Sequence, residues 1–198
     1  MKIISAEQYT DEWYQARLGV PSASCFDDII TATGKPSKSA EKYLFKLAGE
    51  KVSGKAEETY QNEAMKRGTL LEDEARQLYQ IITDTTVEKV GFCIHDEINS
   101  GASPDGLVGD DGLIEIKCPS ISVHVEYLLN NELPSKYYQQ TQGQLFITGR
   151  KWNDFVSFYP GLKPLIVRVY PDKEFHAALE AELKSFCKKL EETINRIK

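Results

Sequence analysis

A chain of 198 residues, 41% of them hydrophobic, has room for one domain with elaborations around an ordinary globular core. Its formal net charge of −6 argues against a general-purpose nucleic-acid coat, whose affinity comes from neutralising phosphates with Lys and Arg, but not against an enzyme whose site carries its own carboxylates and cations. No run of about 18 apolar residues marks a membrane span, and the start, MKIISAEQYTDEWY, lacks the apolar stretch of a secretory signal. Cys25, Cys93, Cys118 and Cys187 form no C-x-x-C and no cluster, which reads as reduced thiols in a cytoplasmic protein.

In chain order, residues 11–17 suit a short helix carrying Trp13 and Arg17, broken by Gly19-Val20-Pro21. Ser22-Ala23-Ser24 caps a second helix through Ile30, with Ser24 near its first turn. After a loop at 33–37, a helix from about Ala40 to Val52 turns Tyr43, Leu44 and Leu47 to one face, and Gly54 interrupts it. Lys35, Lys38, Lys42, Lys46, Lys51 and Lys55 fall here; they line a DNA channel or form a solvated helix face, and the second is the simpler reading. A long helical pattern from about Glu57 to Ile81 points Ala64, Met65, Leu71, Ala75, Leu78 and Tyr79 inward. Residues 86–95 read as one strand, and a hairpin follows.

That hairpin holds the densest chemistry. Residues 103–117 read S-P-D-G-L-V-G-D-D-G-L-I-E-I-K, with Gly109-Asp110-Asp111-Gly112 joining two apolar runs. Strand alternation puts Glu115 and Lys117 on one face and turns Ile116 into the core, leaving its carbonyl available. A two-residue loop would pair Asp105 with Ile116, on the wrong side. A three-residue loop, Gly109-Asp110-Asp111, pairs Asp105 with Glu115, so an odd-length loop or a bulge is expected. Asp105 and Glu115 can then hold a hard cation through oxygen, since Mg²⁺ favours one or two carboxylates plus substrate phosphates. Lys117 can set a cation beside an attacking water. The plain alternative is an acidic surface hairpin, because a bare D…E-x-K match arises often by chance.

Beyond the hairpin, Pro119 ends its second strand, helices fit 122–130 and 135–148, and 153–159 and 164–170 alternate as strands joined by Pro160-Gly161. Phe175, Leu179, Leu183, Phe186, Leu190, Ile194 and Ile197 form one apolar stripe on a long amphipathic helix that packs on the domain. Helices before and after a four- or five-stranded core give an α/β fold with a central mixed β-sheet. The whole chain, 1–198, reads as one domain: an N-terminal helical part at 1–57, a core at roughly 58–170 and the amphipathic helix at 172–197.

Four other pieces suit chemistry, and each has a plain reading. Glu72 in Arg67-Gly68-Thr69-Leu70-Leu71-Glu72 is a third carboxylate or an exposed helix glutamate. Arg17 with Ser22 and Ser24 makes an anion pocket at a helix start, or is a structural arginine beside a cap. Ser103 is a phosphate contact or a turn hydroxyl. Gln140 and Gln144 share a helix face one turn apart and bind phosphate or water, or form a polar stripe.

The order and spacing of these pieces say more than any one of them. W-Y-x-x-R-L-G-x-x-S-A-S from Trp13, R-G-x-x-x-E from Arg67, S-P-D-G-L-V followed by E-I-K-C-P, and Y-Y-x-Q-x-Q-x-Q-L from Tyr137 span roughly residues 13–148. The set resembles the lambda-type phage exonucleases, the YqaJ-like viral recombinase family within the PD-(D/E)xK nuclease superfamily. The resemblance implies a restriction-endonuclease-like core. It implies two Mg²⁺ ions, with Mn²⁺ as a substitute, held by Asp105, Glu115, Glu72 and the Ile116 carbonyl. Lys117 would orient or deprotonate the attacking water. Arg17, Ser24 (in preference to Ser22) and Ser103 would grip the 5′-terminal phosphate, with Gln140 beside that pocket and the nucleophile. The implied substrate is linear double-stranded DNA degraded from 5′ ends to leave a 3′ single-stranded tail. The implied partners are two further copies in a ring-shaped homotrimer and a phage single-strand annealing protein in a bacterial host. Against this stand an endonuclease of the same superfamily and a non-catalytic DNA-end module.

Overall fold

The fold is built on two sheets, seen in a computed structural model that describes residues 1–57 and 63–198, the side chains of 63–66 and 69 excepted. The five-stranded sheet has the order β2-β5-β6-β7-β8, from Val87–Glu88, Gly106–Val108, Gly112–Lys117, Trp152–Ser157 and Leu165–Val169. It is mixed: β6 and β7 run parallel, and the other neighbours are antiparallel. The parallel pair is joined through two helices, α4 (Ile121–Asn130) and α5 (Tyr138–Thr148), the crossover that parallel strands require.

One face of this sheet is covered by α3 (Glu63–Thr83), whose Ala75 and Tyr79 pack with Val108, Ile114, Ile116 and Val156. The Tyr79 hydroxyl donates to Asp154 on β7 at 2.7 Å, which ties the helix to the sheet. The other face is covered by α5 and α4, where Leu113 packs with Leu145, and Phe155 with Tyr127. The start of the long helical pattern near Glu57, with Ala64 and Met65 turned inward, lies outside the described residues.

The hairpin has the expected odd-length loop. The register Gly106↔Ile114, Leu107↔Leu113, Val108↔Gly112 leaves Gly109-Asp110-Asp111 as a three-residue turn. Gly109 has φ +52, the left-handed region that a β-carbon disfavours. Arg150 clasps the turn by donating to the carbonyls of Gly109 and Gly112 at 2.7 and 2.8 Å. Gly106, beside Asp105, is required for space: a β-carbon there would lie 2.2 Å from Cγ1 of Val87.

Three expectations change. Residues 86–95 are not one strand. β2 pairs with β5, whereas β3 (Phe92–Ile94) pairs with β1 (Lys2–Ile4) and β4 (Gly101–Ala102) in a separate three-stranded sheet. The N-terminal part therefore contributes a strand as well as α1 (Asp11–Arg17) and α2 (Ala40–Ser53). The segment after Ser22 is a 3₁₀ stretch, Ala23–Asp28, with a non-helical Cys25 (φ −127), so it carries no aligned helix dipole. Finally, α6 (Lys173–Ile197) buries its stripe from Phe175 to Leu190 against α2 and α5, but Ile197 is 52% exposed because the helix runs past the core there. Of the lysines from 35 to 55, Lys42, Lys46 and Lys51 lie on α2 and Lys35, Lys38 and Lys55 outside it; all are exposed except Lys46, which is half-buried and 3.7 Å from Glu57.

Candidate active site

β6 carries Glu115 and Lys117 on the face under α5, and α5 lowers two amides onto them. Glu115 is 2% exposed. Its Oε1 accepts from Gln140 Nε2 and lies against Lys117 Nζ, each at 2.5 Å, and its Oε2 accepts from Gln144 Nε2. A carboxylate offers about four lone-pair sites, so three donors leave one for another partner. Asn153 on β7 donates to Gln144 Oε1 at 2.7 Å, which determines that the amide nitrogen of Gln144 faces Glu115. The sequence reading puts Gln144 on one helix face with Gln140 as a binder of phosphate or water; the structure instead aims it at Glu115, held by the buried Asn153 across the sheet.

Burial alone would lower Lys117, but the charges of Glu115 and then Asp105 outweigh it and hold the ammonium above its ordinary value. Its Nζ also sits 5.3 Å from the ring centre of Tyr137. In the field of the protein's own residues Lys117 is a charged donor.

Asp105 leaves the regular ladder where β5 begins. Its backbone N–H donates to the Ile114 carbonyl at 3.0 Å, and its carboxylate takes the next ladder position by accepting the Ile116 N–H at 2.6 Å. In a strand, the N–H and C=O of one residue point to the same side. The Ile116 carbonyl therefore faces Asp105, beyond the end of β5, while its side chain is buried against α3. Burial, and then the charge of Glu115, hold the Asp105 carboxyl well above the usual range.

Glu72 arrives from the opposite face, on α3. Its neighbour one turn on, Arg76, donates through Nε to the Asp105 carbonyl at 3.2 Å and pairs with Asp73. Burial raises the Glu72 carboxyl, and the Tyr9 hydroxyl, 3.3 Å from Oε1, works the other way. The expected convergence of Asp105, Glu115 and Glu72 is looser than a three-carboxylate cage: among the described residues no three His, Cys, Asp or Glu stand together closely enough to hold a metal ion. The sheet lies between α3 and the Glu115 face, which keeps Glu72 at the rim.

Asp105, Glu115 and the Ile116 carbonyl nonetheless fit a hard cation. All the donors are oxygen, Mg²⁺ commonly takes one or two carboxylates and leaves its other positions to water and phosphate, and the push on Asp105, from burial first and then from the Glu115 charge, is one that a cation would offset.

The candidate anion pocket is built from α1 outward. Arg17 is half-buried, its guanidinium 4.2 Å over the Trp13 ring. It donates to Ser103 Oγ and to Ser22 Oγ, both at 3.2 Å, and Trp13 Nε1 also donates to Ser103 at 3.0 Å. Among the described residues no carboxylate pairs with this guanidinium. Ser22, not Ser24, is its direct partner; Ser24 is exposed and reaches Ser22 at 3.3 Å. Ser103 stands two residues before Asp105, so a short covalent link joins this pocket to the carboxylate centre.

Residues 12–151 match the YqaJ-like viral recombinase domain. Among solved structures, the chain is similar to an alkaline exonuclease (LHK-Exo) from Laribacter hongkongensis, with 39% identity and a TM-score of 0.86 over 95% of this chain and 96% of that one. The same values hold for LHK-Exo in complex with dAMP. A phage related exonuclease from Haemophilus somnus 129PT shares the fold at 16% identity and a TM-score of 0.71, over 90% of this chain and 96% of that one. No curated protein matches the chain. The matched span holds Arg17, Glu72, Ser103, Asp105, Glu115, Lys117 and Gln140, and the chain belongs to the YqaJ-like viral recombinase domain family.

Proposed function

We propose that this nuclease-family chain is a Mg²⁺-dependent exonuclease. It degrades one strand of linear double-stranded DNA 5′ to 3′, releasing 5′-mononucleotides and leaving a 3′ single-stranded tail for phage-type recombination. The observation that carries this reading is the join between two sites: Ser103, which accepts from Arg17, is two residues from Asp105. A terminal phosphate held at Arg17 places the next phosphodiester near Asp105, Glu115 and Lys117. The LHK-Exo complex supports it, since dAMP is a mononucleotide of the kind this reaction releases.

Asp105, Glu115, the Ile116 carbonyl and, at the rim, Glu72 would hold the ions, two by the family resemblance, with Mn²⁺ as a substitute. Bound there, a divalent cation supplies charge stabilisation at the phosphoryl oxygens and a water of lowered pKa. The chain's own groups do the rest. Lys117, held as an ammonium, donates to the attacking water and orients it. Gln140 and Gln144 donate to Glu115 and hold it aimed. Arg17 with Ser22, Ser24 and Ser103 binds the terminal phosphate through charge-assisted hydrogen bonds.

The shared apolar cluster, drawn from Ala23 through α2 and α5 to Leu190, supports one nuclease domain over the whole chain. From the family resemblance we assign a ring-shaped homotrimer working with a phage single-strand annealing protein in the bacterial cytoplasm. No described helix is long and apolar enough to cross a membrane.

A time course on end-labelled linear duplex tests the reading. With Mg²⁺, the 5′ label should appear first as mononucleotide and the 3′ label should stay in long product. Chelator or Glu115→Ala should stop both. Nicking of covalently closed circles would replace this reading with an endonuclease. For the pocket, Arg17→Ala should erase the preference for 5′-phosphorylated over 5′-hydroxyl duplex, a loss of roughly tenfold or more if each charged hydrogen bond contributes about 1.5–3 kcal/mol. Equal wild-type rates on the two ends would count against it.

A further inference from the structure

We infer that Tyr9 is a positioning residue that holds the Glu72 carboxylate in place from beside Trp13; this rests on the metal-dependent reading above. Tyr9 is not one of the family motif residues quoted above. Its backbone has φ +70, a left-handed conformation that suits Gly, Asn or Asp and is unfavourable for a bulky side chain. It sits in the tight turn where the Thr10 N–H donates to the Glu7 carbonyl at 3.3 Å, just before Thr10 caps α1. A turn that needed only this backbone shape would take glycine. A tyrosine there persists when its side chain makes compensating contacts.

Those contacts join the two halves of the site. The Tyr9 hydroxyl donates to Glu72 Oε1 at 3.3 Å. Its ring packs against Trp13 with centroids 5.6 Å apart. Trp13 in turn supports the Arg17 guanidinium and donates to Ser103. The same tyrosine walls a cavity of about 520 Å³ that also reaches Glu72, Arg76 and Asp105. Glu72 sits at the rim on α3, and Tyr9 crosses from the N-terminal segment to meet its carboxylate. A carboxylate that ligates a metal depends on such outer contacts for its aim, and their loss commonly costs ten- to a hundredfold in metal affinity, by order of magnitude.

The test uses the full chain and Mn²⁺ alone, titrated by calorimetry without DNA, with cleavage of linear duplex measured in parallel. Tyr9→Phe removes only the hydroxyl and keeps the ring on Trp13. Tyr9→Gly removes the side chain and relieves the turn. Both should weaken Mn²⁺ binding about tenfold and raise the Mn²⁺ concentration needed for half-maximal cleavage, and Tyr9→Phe, which keeps the ring on Trp13, should leave KM for DNA at the wild-type value. Thermal stability should hold in Tyr9→Phe and hold or rise in Tyr9→Gly, a combination that a purely structural tyrosine does not produce. Asp105→Asn separates the two ideas. If it abolishes Mn²⁺ binding while Tyr9→Phe and Tyr9→Gly bind as wild type does, Tyr9 is a surface residue and this inference is overturned alone. If the wild type binds no Mn²⁺, or Asp105→Asn binds it unchanged, the metal reading falls and takes the inference with it.

Discussion

Lys117→Ala should still bind linear duplex but lose cleavage, by roughly 10²- to 10³-fold or more in single-turnover rate, the scale for removing one preorganised donor from a reaction centre. The expectation follows from where the ammonium is held. Glu115 fixes it at 2.5 Å, Tyr137 bounds it, and neither lets it follow the DNA backbone outward. On the proposed reading its charge serves the reacting atoms, whereas the terminal phosphate would be taken up at Arg17, Ser22 and Ser103, which share hydrogen bonds. Binding by fluorescence anisotropy and cleavage in a single turnover should therefore separate. Burial favours the neutral amine, and the charges of Glu115 and then Asp105 outweigh it, which supports donation to water as the proposed role of Lys117. Wild-type cleavage by the alanine variant would remove Lys117 from the mechanism.

Leu183→Ala should cost about 2–5 kcal/mol of stability, the range for truncating a fully buried leucine. Leu183 is 0% exposed and shares one cluster with Tyr43 and Leu44 of α2 and Leu145 of α5. The cavity lies between three helices whose backbones are held by other contacts, so the site collapses little. Ile197→Ala, at the same stripe but past the core, should change stability by less than about 0.5 kcal/mol. Urea unfolding of the two variants gives the contrast directly. Equal midpoints would mean that α6 is not packed on the domain along its length. The loss matters for the site as well, because α5 is packed between α6 and the sheet and carries Gln140 and Gln144.

Much of this could be read from residues alone where the constraint is local. The three-residue loop came from side-chain parity: only an odd loop puts Asp105 on the side of Glu115, and Gly109-Asp110-Asp111 forms that loop. The apolar stripe of α6 and the four-residue step of Gln140 and Gln144 are helix periodicity. The split of 86–95 was not legible, because β2 and β3 differ only in which distant strand each one meets. The 3₁₀ stretch after Ser22 is not distinguishable from a helix in the sequence, since Ser-Ala-Ser is a cap pattern whatever helix type follows. Ser22 rather than Ser24 faces Arg17 for the same reason: a regular helix and a kinked 3₁₀ stretch aim those hydroxyls differently.

The sequence by itself determined the chemical inventory and its local geometry: the carboxylates, lysine, arginine and amides, the hairpin parity and the amphipathic faces. These depend on neighbours within a few residues, where the backbone period sets which side chains share a face. Only the tertiary structure decided how the inventory is assembled. It placed Glu72 on the far side of the sheet from Glu115, gave Gln144 its aim through Asn153, and bent Tyr9 back onto Glu72. Each of these is a contact across 9 or more positions in the chain, and such contacts follow from which faces pack together, a property of the whole core rather than of any segment.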